Sequence, residues 1–373
     1  MAAMGGQVKV TVFGDFAEDY RLSMDVYAAG LAASLRRLTP APYEVEEYHP
    51  RRLPVGGCGP VRMRIARYAE YPLSSIRHAG ALNHIIDQGY AHLIYGLGRG
   101  RTVVTVHDII PMVRFMGRIS GLAPGRKPAL NLFSFRALRL AAHIVADSEN
   151  TKRDLICLCG CSASMITVVH PGVDQLFRRY SREEALRARR TLGFGGGVYV
   201  LVSGSGEYKN HVGALRAFAL VRSKLRRPCY LVKTGGATPE WARTVAELGL
   251  GGSVLCLGTV PRESLVDLYN SVDCLLFPSF YEGFGWPPLE AMACGTPVVT
   301  SDAASLPEVV GEAGIMVSPT DLAAIADALN RVLTDEVLRD CLVRKGLERV
   351  RGFSWDLTAQ AVGRVYERVL ATH

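Results

Sequence analysis

What this sequence lacks narrows its function first. No run of about 18 apolar residues occurs, the length a helix needs to cross a bilayer, so no membrane span is expected. The start, Met1 to Gln7, is short and has no apolar core, which predicts no signal peptide. No Asp-x-Asp pair is present, the arrangement with which metal-dependent transferases hold a divalent ion on a diphosphate, so no metal and no cofactor are expected. No Gly-x4-Gly-Lys-Ser/Thr loop appears, which excludes a P-loop NTPase. The nine cysteines include no Cys-x2-Cys pair; Cys157, Cys159 and Cys161 read as reduced, partly buried thiols and not as zinc ligands. Solenoid repeats are missing too.

What is present fits a large α/β protein. At 373 residues and 49% hydrophobic content, two domains with sizeable cores are expected. The net charge of +8 is confined to residues 1–180, where 22 Lys and Arg oppose 14 Asp and Glu. Arg51, Arg52, Arg62, Arg64, Arg67 and Arg77 fall close together. Such a patch either attracts an anionic surface, such as a phospholipid leaflet, or is a solvated arginine-rich face. No nucleic-acid-binding module is recognisable and the aromatics do not interleave with the arginines, so no nucleic-acid partner is expected. The chain reads as cytoplasmic, peripheral on the inner membrane face where it meets one.

Short apolar runs alternate with helical patterns. Strands are predicted at 8–13, 91–97, 102–106, 143–146 and 166–169, then at 198–202, 230–233, 254–257, 274–277, 297–300 and 315–317. Helices are predicted between them, at about 21–38, 128–142, 149–159, 211–224, 238–248, 262–270, 287–294, 320–333 and 335–351. Near-continuous apolar strands separated by helices indicate parallel sheets covered on both faces, a doubly wound plan. The alternation breaks once, at about 172–195, where a charged helix and a glycine run place the domain boundary. The expected domains are 1–175 and 176–354. Two such lobes leave a crevice at the carboxyl ends of their strands, where ligands bind.

The strongest chemical signal is Tyr281-Glu282-Gly283-Phe284-Gly285-Trp286-Pro287-Pro288-Leu289-Glu290, which runs on to Gly295. Its glycines allow a loop with a closely approaching backbone, and Pro287 suits a first helical position. Free N–H groups and the helix dipole make that end a seat for an anion. Glu282 in the loop and Glu290 in the first helical turn can accept hydrogen bonds from sugar hydroxyls. The bland alternative is a strand–loop–helix unit with a dipole-stabilising carboxylate. Lys209 follows a strand and the loop Ser203-Gly204-Ser205-Gly206, where backbone N–H groups can cradle phosphate and a lysine can stabilise a departing diphosphate. His107, at a strand end before Asp108, is read as a neutral imidazole within reach of a sugar, with Asp108 orienting it or capping the next turn. Gly14 follows the first strand, and His84 and His92 are further candidates for an acceptor side.

Taken in order, these segments carry a resemblance. The Glu282-to-Glu290 segment closely resembles the signature of the retaining GT-B glycosyltransferases called family 4, whose two Glu are separated by seven residues. Val104–Pro111 looks like its first-lobe histidine motif, and Ala146–Leu155 like the start of the helix that ends that lobe. Val169–Asp174 resembles its interdomain segment, and Lys209-Asn210 its second-lobe lysine motif. Leu257–Val260, Leu306–Val309 and Phe353–Trp355 also fit, the last opening a final helix (355–373) that in the family packs back on the first lobe. The resemblance covers residues 91–373 well and residues 1–90 loosely.

The resemblance implies a GT-B fold of two Rossmann-like domains with a cleft between them. The first would take the acceptor and the second the nucleotide sugar. It implies metal-independent, retaining hexose transfer, of mannose or glucose, to a glycan or lipid-linked saccharide in surface-polysaccharide synthesis. Catalytic roles would fall on His107, Lys209 and Glu282. Gly14, Ser205, Asn210, Thr259, Val260, Gly283, Phe284, Gly285 and Glu290 would bind the donor, which is a co-substrate and not a cofactor. GDP-mannose and UDP-glucose are the donor alternatives, and the histidine motif with Ile109-Ile110-Pro111 tips the reading to mannose. Two departures stand out. Ser205 and Tyr208 occupy places where the family usually has an arginine, and the first-strand loop, Phe13-Gly14-Asp15-Phe16, keeps one glycine. The competing readings are a nucleotide-sugar-binding subunit with little activity and a sugar-nucleotide epimerase on the same fold.

Overall fold

A computed structural model describes residues 7–16, 22–39, 42–51, 59–127 and 129–372. Residues 1–6 of the start and Arg52 of the basic cluster lie outside the described residues. The chain divides into two units. One comprises 1–115, 125–172 and 353–373; the other comprises 116–124 and 173–352.

The first unit holds a six-stranded, all-parallel sheet. Its strands are β1 (Val8–Phe13), β2 (Tyr43–Tyr48), β3 (Leu82–Ile85), β4 (Thr102–Val106), β5 (His143–Ala146) and β6 (Ile166–Val168), in the order β2-β1-β3-β4-β5-β6. β3 and β4 are buried along their whole length, as central parallel strands must be when both faces are covered. The final helix, Trp355–Ala371, belongs to this unit and starts on a Ser354 cap that accepts from Leu357 N. It packs beside the helix Leu22–Arg37, where a side-chain carbon on Gly30 would strike the Trp355 ring at 2.4 Å.

Several local expectations differ from the structure, and β2 was not among the expected strands. The run 91–97 was expected as a strand; residues 88–97 are a 3-10 turn followed by a short helix. Tyr90, Ala91, Leu93, Ile94 and Leu97 are buried all round, and such a run has no period that separates a buried helix from a strand. The strand that fills that place is β3, whose Asn83 and His84 disguise it as polar. A further helical stretch, Pro60–Arg77, interrupted by one π-turn at Ala66–Glu70, was not anticipated.

The second unit holds β7 (Val198–Val202), β8 (Cys229–Thr234), β9 (Val254–Gly258), β10 (Cys274–Phe277), β11 (Val298–Ser301) and β12 (Ile315–Val317). All neighbours are parallel, in the order β12-β11-β10-β7-β8-β9. Counted within the unit this is 3-2-1-4-5-6, the doubly wound order whose direction reverses between β7 and β10. Phe218, Trp241, Leu276 and Leu329 help form one apolar core beneath it. The strand order therefore fixes where this unit can bind a ligand: beyond the carboxyl ends of β7 and β10.

Candidate functional site

Lys209 follows β7 and Glu282 follows β10, so both flank that reversal. Nζ of Lys209 donates to both carboxylate oxygens of Glu282, at 2.8 and 3.0 Å. The two side chains are 11% and 9% exposed, so the pair is nearly desolvated. The Lys209 ammonium also lies 4.8 Å from the centre of the Phe277 ring.

The loop after β10 is shaped by a residue the sequence reading missed. Ser305, fully buried, sets its hydroxyl 2.9 Å from the Glu282 carbonyl and 2.6 Å from that of Phe284. In a trans peptide the N–H points opposite to the C=O. Drawing these two carbonyls toward Ser305 turns the amides of Gly283 and Gly285 the other way, away from Ser305. Ala304, just before Ser305, holds φ of 55°, a left-handed conformation unfavourable for a residue with a side chain. Gly285 caps the helix Trp286–Ala293 at φ of 119°, which glycine alone tolerates easily. The helix opens at Trp286, one residue earlier than expected, so Glu290 sits in its second turn. The Tyr269 hydroxyl donates to Glu290 at 3.0 Å. Burial raises the Glu290 carboxyl to about 7, despite opposition from that hydrogen bond and from the Arg262 guanidinium.

Other expected site residues have local duties. Asn210, left-handed at φ of 54°, caps the helix His211–Arg222 by accepting from Gly213 N and donates to the Pro319 carbonyl. Ser205 accepts from Gly236 N at 3.2 Å. Thr259 is exposed and Val260 half-buried, just past the edge strand β9. Among the described residues no three His, Cys, Asp or Glu side chains group as metal ligands.

In the first unit, His107 directly follows β4. Its Nδ1 lies 2.6 Å from the Asp147 carboxylate and its Nε2 lies 2.7 Å from the Ile86 carbonyl. Both partners only accept, so both ring nitrogens must carry protons and the ring is an imidazolium, where a neutral ring was expected. Burial pulls its pKa down, but the charge and hydrogen bond of Asp147 outweigh it and the pKa rises to about 9. Asp108 caps the next turn by accepting from Ile110 N; Asp147, unrecognised in sequence, is the residue that orients His107.

This predicts a pH-dependent stability. A histidine raised from about 6.5 to about 9 contributes fully below pH 6.5 and loses that contribution as pH rises through 9. At stake is on the order of 3 kcal/mol. Thermal unfolding of wild type should weaken over that window and that of Asp147→Asn should not; parallel curves would count against the buried imidazolium.

His84 and His92 are structural. His84 is fully buried between the Tyr366 and Thr105 hydroxyls, and His92 between Ser134 and the Arg67 carbonyl. Gly14 packs against the His49 ring, which would have to shift to admit a side chain there.

Comparison with known proteins finds matches in both units. The model described as Glycosyltransferase Family 4 matches residues 25–175, and the model described as Glycosyl transferases group 1 matches residues 187–349. The O-antigen chain mannosyltransferase B of Escherichia coli is 39% identical over 162 residues, 42% of this chain and 42% of that protein. A D-inositol 3-phosphate glycosyltransferase of Acidothermus cellulolyticus is 34% identical over 245 residues, 62% of this chain and 54% of that protein. The chain thus spans about half the length of the curated relatives it matches. HepE of Anabaena, solved in complex with UDP and glucose, superimposes with a TM-score of 0.76 at 18% identity, covering 97% of this chain and 100% of that one. Matched in order across both units, with a parallel six-stranded sheet in each, the chain belongs to the family 4 glycosyltransferases of the GT-B fold.

Proposed function

We propose that this protein transfers a hexose, mannose in preference to glucose, from a nucleoside-diphosphate sugar to a glycan or lipid-linked saccharide, without metal and with retention. The observation that carries the reading is the buried Lys209–Glu282 pair at the strand-order reversal, beside the N-terminus of the helix Trp286–Ala293. The preference for mannose rests on the similarity to the mannosyltransferase of Escherichia coli.

The donor's diphosphate lies against the loop after β7 and that helix end. Glu282 accepts hydrogen bonds from the hexose, and the Glu290 carboxylate accepts them from the ribose. Lys209, held by Glu282 in the ligand-free protein, shares its protons with the β-phosphate. The bond from C1 to the phosphate oxygen breaks, its electron pair leaving with the nucleoside diphosphate. The acceptor oxygen bonds C1 on the same face, and its proton passes to the departing phosphate oxygen. No side-chain base is needed, and Glu282 is a positioning carboxylate, not a nucleophile. For His107 to touch a sugar hydroxyl, Nε2 must exchange the Ile86 carbonyl for it.

The test is a donor panel with EDTA present: GDP-mannose, UDP-glucose, UDP-GlcNAc and UDP-galactose. Binding and slow hydrolysis of one donor, strongest for GDP-mannose, are expected. A requirement for added metal, or no donor binding at all, would overturn the reading. Binding without hydrolysis or transfer would favour the donor-binding subunit.

The acceptor reading extends to an anionic membrane surface. Along Pro60–Arg77, Val61 and Leu73 are 66% and 69% exposed, Met63, Ile65 and Ile76 are also exposed, and Arg64 and Arg77 lie among them. Arg62 and Arg67 are instead engaged internally, with Glu70 and with the Gly89 carbonyl. Wild type should sediment with phosphatidylglycerol-rich vesicles at low salt, and Leu73→Gln/Ile76→Gln several-fold less. Equal sedimentation of the two would refute this.

A further inference from the structure

Lys233, near the end of β8, is 1% exposed and ranks among the largest fully buried side chains. Its Nζ meets three acceptors: the Gly204 carbonyl at 3.1 Å, the Thr234 carbonyl at 3.2 Å and His211 Nδ1 at 3.3 Å. His211 spends its other ring nitrogen on the Ser203 carbonyl, also an acceptor. Nε2 of His211 therefore carries the ring proton, Nδ1 offers a lone pair, and all three Lys233 protons are used. Lys233 is thus an ammonium, and the Trp241 ring, 5.4 Å away, covers it. No carboxylate pairs with it among the described residues, so a full positive charge is buried without a counter-charge. Such a charge is costly unless something compensates it.

What surrounds this charge is the loop after β7. Gly204 and Gly206 hold φ of 94° and 109°. With the Gly204 carbonyl drawn to Lys233, the opposed Ser205 N–H of the same peptide points away from the core. The amides of Ser205 and Gly206 make no hydrogen bond among the described residues. Two consecutive open amides over a buried ammonium form an anion cradle. The same loop is where Ser205 and Tyr208 leave the site without an arginine.

We infer that Lys233 is a positioning residue for the donor's diphosphate: it sets the amides of the Ser203–Gly206 loop from behind and supplies, through the backbone, positive charge that a surface arginine does not. The inference rests on the donor-binding reading above. It assigns to a strand lysine, outside every motif noted in the sequence, part of the recognition of a nucleoside diphosphate.

The test compares wild type, Lys233→Met and Lys233→Arg for binding of GDP and UDP, of guanosine and uridine, and for thermal stability without ligand. Lys233→Met should bind the diphosphate of the preferred nucleotide about tenfold or more weakly while keeping its affinity for the nucleoside. Its ligand-free stability should change little, because loss of the buried charge offsets the three acceptors left without a donor. Lys233→Arg should recover most of the diphosphate affinity. Should Lys233→Met not fold, Lys233→Gln carries the same comparison; if neither folds, the ammonium is a fold requirement and the inference fails. Equal loss for nucleoside and diphosphate, or no loss, also overturns it. Absence of nucleotide binding by wild type would instead strike the donor-binding reading itself.

Discussion

Lys209→Met should lower kcat/KM for sugar transfer by about 10²–10³-fold, the loss typical when a preorganised group facing developing charge is removed. It should also destabilise the ligand-free protein, because Glu282 is left buried without its partner. With side chains only 11% and 9% exposed, breaking the pair costs about 3–5 kcal/mol. Glu282→Gln leaves the opposite orphan and should destabilise too. The double variant Lys209→Met/Glu282→Gln removes both charges, so it should be more stable than either single variant, close to wild type. Its activity should stay at the level of the worse single variant. Denaturant unfolding and transfer assays on the four proteins complete the cycle. If activity returned together with stability, the pair would be a structural ion pair and its catalytic role would be lost.

Much of this could be read from the sequence, and the reasons are physical. β4, β5, β7, β10 and β11 stand out because strands buried on both faces are written largely in Val, Ile and Leu. Lys209, Glu282 and Glu290 stand out because glycines and a proline mark the turns that display them. What stayed hidden works through partners distant in sequence. Asp147 touches His107 across 40 residues, Ser305 braces the carbonyl of Glu282 across 23, and Lys233 meets Gly204 across 29. Each is ordinary in its own segment; only the parallel pairing of neighbouring strands brings their ends together. β3 was concealed by the opposite effect, since Asn83 and His84 are buried but satisfied by hydrogen bonds to Leu97, Tyr366 and Thr105. The expected imidazole of His107 failed for a related reason: its charge is decided by two acceptors that no local pattern announces.

Donor affinity should depend on pH through Glu290. With its carboxyl raised to about 7 by burial, the ligand-free side chain is mostly protonated at pH 6 and mostly ionised at pH 8. A ribose diol offers two O–H donors, which a carboxylate accepts and a carboxylic acid accepts less well. Binding below pH 7 must therefore expel a proton. Affinity for the donor nucleotide should fall about tenfold for each pH unit below 7 and level off above it. Calorimetry at pH 6 in buffers of different ionisation enthalpy should show release of roughly one proton. Glu290→Gln should bind weakly with no pH dependence over this range. Tyr269→Phe supplies the sharper check: its hydroxyl donates to Glu290 and favours the ionised form, so its loss should move the midpoint to higher pH. A flat profile for wild type between pH 5.5 and 8, or an unmoved midpoint in Tyr269→Phe, would mean that Glu290 does not meet the ligand as a carboxylate. Its burial beneath Tyr269 would then serve only to anchor the helix that starts at Trp286.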